Sequence, residues 1–156
     1  MVHRLAASRP GAWFFAPLLH HMDALALRLS RGRASVSGLL AGVPTVVLTS
    51  TGAKSGKART LTLLRVDDPD RPDVFGVIAS NWGRAPHPGW YYNLRADPRA
   101  VCTIDGRTAN YRAHEAGGAE YDRFWNAALA LYGGYREYKQ RIRTRVIPIM
   151  VLEPAA

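Results

Sequence analysis

The pattern of apolar and polar positions predicts a chain built mainly from short antiparallel strands. Polar and apolar side chains alternate from Thr60 to Leu64, which is typical of a strand with one buried face. Asp105-Gly106 separates two further strand-like runs and is a strong signal for a two-residue hairpin turn. The predicted strands are Val43–Ser50, Arg59–Val66, Val74–Ala79, Arg99–Ile104, Arg107–Arg112 and Val146–Leu152.

Two segments between these strands have helical spacing. A short helix is predicted around Trp90 and Leu94, and Asp97-Pro98 ends it. A longer helix is predicted over Glu120–Tyr132, with a break at Gly133-Gly134 and helical character resuming beyond it. Hairpin-rich strands with a few helices favour a single domain, residues 1–156, built as an antiparallel barrel with helical decoration and classed as mainly β, α+β.

Residues 1–42 are predicted to form an N-terminal helix and a linker. Apolar residues share one helical face from Leu18 to Leu29, and Arg28, Arg31 and Arg33 lie at its end. One interpretation is a helix packed on the domain. The other is a mobile, basic amphipathic segment that rests on anionic lipid.

The composition of the chain limits the cellular compartments and the classes of ligand that are consistent with the sequence. No run of 18 apolar residues exists and no small-residue cleavage site follows the N-terminal apolar patch, so we expect neither a membrane span nor secretion. A single cysteine, Cys102, excludes an internal disulfide, and we expect a buried, inert thiol. The net charge of +9 favours anionic ligands. These features predict a cytoplasmic protein, with peripheral contact at the inner face of the membrane as the alternative.

The chain's densest cluster of cations and hydroxyls lies in the loop Thr49–Arg59. Lys54, Lys57 and Arg59 share this short turn with two glycines and four hydroxyl residues. Backbone N–H groups, hydroxyls and cations together can enclose an anion. The spacing is not that of a phosphate-binding P-loop, and a solvated basic turn is the alternative interpretation.

A second cluster surrounds the next strand end. Ala79-Ser80-Asn81 opens into a loop, and Trp90-Tyr91-Tyr92-Asn93 follows at a helix start. The aromatic rings can line a pocket for a planar molecule, with Asn93 as a polar anchor, or they can pack the core. His87 lies between two prolines, which predicts an exposed side chain. No second ligand stands at metal-binding spacing, so no metal site is predicted.

Tyr132, Tyr135 and Tyr138 recur at steps of three, which keeps them on one broad helical face. Core packing is the default interpretation of such a stripe. The functional alternative is a row of phenols above a pocket, donating hydrogen bonds to a substrate, on a segment that the glycine pair allows to move as a lid.

These clusters occur in an order that resembles the deazaflavin (coenzyme F420)-dependent nitroreductase and quinone reductase family. The similar stretches are Thr51–Arg59, Ala79–Asn81, Trp90–Pro98, the three tyrosines, and the closing Arg145–Ile149. The resemblance covers Val43 to Pro154. It implies a split antiparallel β-barrel of the type that binds FMN, with coenzyme F420 as the cofactor and FMN as the alternative.

The resemblance also implies site residues. It assigns catalytic roles to Tyr135 and Ser80, and to Tyr132 and Tyr138 beside Tyr135. The positions that it implies for cofactor binding are Ala53, Lys54, Ser55, Lys57, Arg59, Thr60, Leu61, Thr62, Leu63, Leu64, Ile78, Ala79, Ser80, Asn81, Gly89, Trp90, Tyr91, Tyr92, Asn93 and Tyr135. Trp82 departs from the family pattern, because glycine is common there, and its bulk is expected to reshape the acceptor pocket.

The function implied by the resemblance is transfer of a hydride from reduced deazaflavin to a quinone-like or other conjugated acceptor, nitroaromatics included. Two alternatives stay open. A non-catalytic protein that binds or carries F420 or FMN has the same loop, and a small basic barrel with aromatic side chains can bind single-stranded nucleic acid. The reductase is preferred, and no nucleic-acid partner is expected.

Overall fold

The computed structural model of the protein describes residues 43–142 and 145–156. The predicted helix over Leu18–Leu29 and the linker after it lie outside these residues.

The elements of the described chain agree with the predicted strands and helices, with shifts at their ends and with one predicted strand divided in two. The strands are β1 (Thr45–Thr51), β2 (Ala58–Leu64), β3 (Val66–Asp67), β4 (Phe75–Ile78), β5 (Arg99–Ile104), β6 (Arg107–Glu115) and β7 (Ile149–Pro154). The helices are α1 (Gly89–Ala96), α2 (Gly118–Leu131) and α3 (Gly134–Arg141), and a single 3₁₀ turn spans Asn81–Gly83.

The strands form one antiparallel sheet in the order β2-β1-β5-β6-β7-β4-β3. Its two edge strands, β2 and β3, are separated in sequence by Arg65 alone. The predicted single strand Arg59–Val66 is therefore two strands. Because β2 and β3 form the opposite edges of the sheet and are adjacent in the chain, the two edges must lie close together, and the sheet curls into a half-barrel.

The hairpin predicted at Asp105-Gly106 is confirmed. β5 and β6 pair from Ile104↔Arg107 to Arg99↔Arg112, with only these two residues between them. Both have positive φ, 50° for Asp105 and 80° for Gly106. Asp-Gly suits a two-residue turn of this kind because both residues tolerate the left-handed region.

Alternation along β7 divides the buried residues into two clusters. Ile149 and Val151 face α2 and α3, whereas Met150 and Leu152 face the interior of the half-barrel. Cys102 belongs to the interior cluster, and burial raises the pKa of its thiol to about 12. The expectation of a buried, inert thiol is confirmed, since a thiol that stays protonated is a poor nucleophile.

A network of ion pairs joins the β3 end of the sheet to α2. The fully buried carboxylate of Asp68 lies 2.8 Å from Arg71 and 3.0 Å from Arg123. Arg71 also pairs with Glu120 at 3.0 Å and with Glu153 on β7 at 2.8 Å. Burial alone would raise the pKa of Asp68, but the Asp70 backbone N–H and the two guanidinium groups outweigh it and lower that pKa.

Candidate active site

The cationic loop between β1 and β2 is a compact turn with its charges directed to solvent. Gly52 N donates to the carbonyl of Lys57 at 2.8 Å, and Gly56 N donates to the carbonyl of Gly52 at 2.8 Å. Gly56 has φ of 69°, a conformation that glycine adopts without strain. Lys54 and Lys57 are exposed, and neither forms an ion pair with any residue in 43–142 or 145–156. Their charges are therefore available to a ligand.

Helix α1 holds this loop in place. The side-chain Oδ1 of Asn93 accepts a hydrogen bond from Ala53 N at 2.9 Å, across 40 positions of sequence. Within the loop, Ser55 Oγ accepts from Lys57 N at 3.2 Å and from Arg59 Nη2 at 3.4 Å. Asn93 is therefore engaged as the anchor of the loop, and Arg59 lies against the same turn.

Asp97, at the C-terminal end of α1, also lies close to this region. The side chain and then the backbone N–H of Arg99 lower the pKa of Asp97 to about 2, and a hydrogen bond from Thr51 acts in the same direction. Asp97 therefore stays ionised at neutral pH, but its charge is already paired with Arg99 at 2.9 Å. It does not compete strongly with an anion at the loop.

The predicted wall from Thr60 to Leu64 is edge strand β2. Thr60 is exposed and shares a hydroxyl hydrogen bond with Thr49 at 2.8 Å. Leu61 and Leu63 pack against the interior cluster, while Leu64 packs against the cluster beneath α2 and α3. Thr62 is half-buried. The strand thus extends from the cationic loop toward the rest of the candidate site.

The segment from Ile78 to Asn81 leaves the sheet in an unusual backbone conformation. Ile78, Ala79 and Ser80 are buried. Asn81, Trp82 and Gly83 then have φ of 48°, 58° and 77°, which makes three consecutive left-handed residues. This conformation is costly for a tryptophan. It gives a physical reason why glycine is suited to the position of Trp82.

Arg145 organises the loop that follows, and sequence reasoning gave it no role of its own. Its Nε donates to the carbonyl of Ala85 at 2.6 Å, and its two Nη atoms donate to the carbonyls of Arg84 at 3.1 Å, Ala79 at 3.2 Å and Pro86 at 3.2 Å. Burial lowers the pKa of Arg145, but an arginine remains charged at neutral pH. The signal in the sequence was weak, because Arg145 lies about 60 positions from these carbonyls.

The aromatic residues at the start of α1 do not form one wall. Trp90 and Tyr91 are buried in the interior cluster, with Tyr91 OH donating to Glu115 at 3.0 Å, whereas Tyr92 is 49% exposed.

The expectation of an exposed His87 is wrong, because the residue is half-buried and its ring lies 4.8 Å from that of Tyr91. Burial lowers the pKa of His87, followed by the charge of Arg145. Gly89, the first residue of α1, is exposed.

The three tyrosines come together, but in the core rather than as an open row. Tyr132 follows the end of α2, and Tyr135 and Tyr138 lie on α3. Each is at most 5% exposed, and the hydroxyls of Tyr132 and Tyr138 are 3.2 Å apart. Burial raises the pKa of all three phenols. The default interpretation, core packing, is therefore what this structure shows.

Helix α3 nevertheless touches the Asn81–Gly83 turn. A Cβ placed on Gly83 would lie 3.0 Å from Cδ1 of Tyr138, so the helix and the turn are in close contact. Trp82 packs against the same cluster as the tyrosines. The structure thus places the tyrosine cluster against the turn that follows Ser80, with the tyrosine rings buried.

In the described part of the chain, no group of three or more His, Cys, Asp or Glu side chains is arranged to hold a metal ion. No helix within residues 43–142 and 145–156 is both long and apolar enough to cross a membrane.

The curled antiparallel sheet with its three helices is a half-barrel of the split-barrel type. Residues 24–154 match the model of the family described as F420H(2)-dependent quinone reductase. The chain belongs to this family, and it is an oxidoreductase that uses coenzyme F420. The expectations of family, enzyme class and cofactor are confirmed.

Individual relatives carry names of the same family. A Mycobacterium tuberculosis (strain ATCC 25618 / H37Rv) protein named F420H(2)-dependent quinone reductase is 30% identical over 112 residues, covering 70% of this chain and 72% of the relative. A second protein of that strain, to which the same name is given provisionally, is 33% identical over 118 residues, covering 76% of this chain and 96% of the relative.

Solved structures confirm the split-barrel fold. The structure of an F420-H2 dependent reductase is similar with a TM-score of 0.64 and 34% identity, covering 70% of this chain and 94% of that one. A heme-binding protein from Mycobacterium smegmatis has a TM-score of 0.53 at 16% identity, covering 74% of this chain and 48% of its own. The second likeness concerns the fold alone.

Proposed function

We propose that the protein transfers reducing equivalents from reduced coenzyme F420 to a quinone-like acceptor, at a site bounded by the cationic loop, the Ile78–Asn81 segment and the start of α1. Nitroaromatic compounds are proposed as secondary acceptors. Membership of the F420H(2)-dependent quinone reductase family supports the cofactor and the reaction class.

The observation that carries this proposal is the hydrogen bond between Ala53 and Asn93. It joins two segments, 40 positions apart in sequence, that the family resemblance assigns to the same cofactor. A loop that is held rigidly and carries unpaired cations binds an anion at a smaller entropic cost than a free loop. The donor set also fits coenzyme F420, which carries a phosphate and a glutamate tail.

Each group of residues has a proposed task. Lys54, Lys57 and Arg59 bind the phosphate and the acidic tail through charge-assisted hydrogen bonds, with Ser55 and the Ala53 backbone beside them. Thr60, Leu61, Thr62, Leu63 and Leu64 continue that wall along β2. Ile78, Ala79, Ser80 and Asn81 line the ring, and Gly89, Trp90, Tyr91, Tyr92 and Asn93 cover the middle of the cofactor.

The bound cofactor, when reduced, supplies a hydride from its deazaflavin ring. This chain contributes orientation and electrostatics. Ser80 and Tyr135 are proposed to donate hydrogen bonds to the acceptor oxygen that gains negative charge, with Tyr132 and Tyr138 orienting Tyr135. Because Tyr135 is buried, its role requires α3 to move at the Gly133-Gly134 pair when the acceptor binds. A tyrosine keeps its proton at neutral pH, and burial raises the pKa of Tyr135 further, so its phenol donates a hydrogen bond without releasing the proton. Solvent then supplies the proton.

Titration of the full-length protein with F420 and with FMN, followed by fluorescence, tests the binding part of the proposal. We expect tight binding of F420 and weak binding of FMN. The double variant Lys54→Gln with Lys57→Gln should weaken F420 binding by about tenfold, because two charge-assisted contacts are lost. Arg107→Gln with Arg136→Gln removes two exposed charges elsewhere and should leave the affinity unchanged. Equal losses in both double variants would refute a specific anion site.

Turnover is tested with F420H2 and menadione as the acceptor, and with a nitroimidazole in parallel. Oxidation of F420H2 with menadione supports the reductase. Tight cofactor binding without any oxidation would indicate the carrier alternative instead.

Peripheral membrane contact through the N-terminal residues is also proposed, because a basic amphipathic segment would bring the enzyme to a membrane quinone. Co-sedimentation with vesicles of anionic phospholipid tests it. Deletion of residues 1–33 should abolish co-sedimentation and leave F420 binding intact. Co-sedimentation of the truncated protein would place the contact elsewhere.

A further inference from the structure

We infer that Arg145 is a positioning residue for the reaction: its guanidinium gathers the carbonyl groups of the Ala79–Pro86 loop and thereby fixes Ser80 and Asn81 against the site. The inference rests on the proposed function, which places this loop at the cofactor ring. Among residues 43–142 and 145–156, the hydrogen bonds of the Arg145 side chain all go to backbone carbonyls.

The first argument is the geometry of the carbonyls. Four backbone oxygens, those of Ala79, Arg84, Ala85 and Pro86, lie within 3.2 Å of one guanidinium. Carbonyl dipoles that converge on one point repel one another, so this arrangement needs a cation at its centre. Arginine supplies five N–H donors in a fixed plane, whereas a lysine ammonium supplies three from a single atom. Arginine is therefore the side chain suited to this position.

The second argument is the strain of the loop. Asn81, Trp82 and Gly83 are consecutive left-handed residues. Such a conformation persists only where the surrounding structure enforces it. The loop itself offers two backbone hydrogen bonds, Gly83 N to Ser80 O and Arg84 N to Asn81 O, each at 3.0 Å, and the bond from Asn81 Nδ2 to Pro86 O. Arg145 adds the hydrogen bonds to the carbonyls on either side of this turn, those of Ala79 before it and of Arg84, Ala85 and Pro86 after it.

The third argument concerns what the loop carries. Arg145 contacts the carbonyl of Ala79, directly before Ser80, and a longer contact of 3.5 Å reaches the carbonyl of Ser80 itself. A shift of this backbone by about 1 Å moves the Ser80 hydroxyl by a similar amount, and misplacement on that scale can cost about a hundredfold in rate. The cationic loop is a separate element, so affinity for the acidic tail does not depend on Arg145.

Arg145→Lys and Arg145→Ala test the inference, with Arg136→Ala as an exposed arginine control on α3. The first readout needs no cofactor: Arg84 is an exposed trypsin site inside the loop. We expect cleavage after Arg84 to be at least tenfold faster in both Arg145 variants than in the wild type and the control.

The second readout is kinetic. In both Arg145 variants we expect kcat with menadione to fall by about tenfold or more, while the F420 dissociation constant changes by less than about threefold. Dilute guanidinium chloride, far below denaturing concentrations, should restore part of the activity of Arg145→Ala and none in the control. A general loss of stability would be aggravated by guanidinium, so rescue separates positioning from folding.

Unchanged trypsin cleavage after Arg84 would overturn the inference by itself, whatever the proposed function. Faster cleavage with unchanged kcat would show that Arg145 holds the loop but that the loop is not at the reacting ring, which refutes the inferred role in turnover. Equal losses in kcat and F420 affinity, without rescue by guanidinium, would also refute it.

Discussion

Asn93 links the two halves of the proposed site, and replacing it with alanine tests that link. The variant loses the hydrogen bond from Ala53 N, which is 2.9 Å long and solvent-accessible. A neutral hydrogen bond of this kind contributes about 0.5–1.5 kcal/mol. If the loop must be ordered to bind F420, the free energy of this hydrogen bond is lost from the binding free energy. A loss of about 1.4 kcal/mol corresponds to a tenfold increase in the dissociation constant. We therefore expect F420 binding to weaken by about two- to tenfold.

Fluorescence titration with F420 measures the effect, and trypsin cleavage after Lys54 reports on the order of the loop. Alanine is a better helix former than asparagine, so the variant should remain folded. Asn110→Ala, at an exposed amide on β6, serves as the matched control. Asn93→Asp keeps an acceptor for Ala53 N but adds a negative charge near the cations, so its loss of F420 affinity relative to the wild type should be larger at low salt than at high salt. If Asn93→Ala binds F420 as tightly as the wild type does, the link between α1 and the anion site is refuted.

Three further predictions follow from particular contacts. Tyr135→Phe should lower kcat with menadione much more than F420 affinity, because only the hydroxyl is lost; equal losses would contradict its role as a donor. Asp68→Asn should destabilise the fold at pH 7 by about 2 kcal/mol, measured by urea unfolding, because charged hydrogen bonds from Arg71 and Arg123 are lost. Since the folded pKa of Asp68 lies below its ordinary value of 3.8, the advantage of the wild type should be complete above pH 4 to 5 and vanish as pH falls through that lowered pKa; a constant difference down to pH 2 would refute the network. Trp82→Gly should be about 0.5–1 kcal/mol more stable than Trp82→Ala, because φ of 58° penalises any residue with a Cβ; the usual order, with alanine more stable, would contradict the left-handed conformation.

The Asp105-Gly106 hairpin and the cationic loop were predictable because their signals are local. A hairpin turn depends on two adjacent residues, and a loop is recognised by the few residues between two strands. The bend at Arg65 was not predictable, because nothing in the run of residues marks the place where one edge of the sheet becomes the other.

The sequence alone determined the strands other than the division at Arg65, the hairpins, the position of the cations and, through its motifs, the family. Only the tertiary structure decided which groups meet. It showed that Asn93 binds the loop instead of standing free, and that the three tyrosines are buried. It also showed that Arg145 reaches carbonyls about 60 positions away. The physical reason is range: backbone preference and periodicity act between near neighbours, whereas a hydrogen bond between distant segments exists only after the whole sheet has curled and packed.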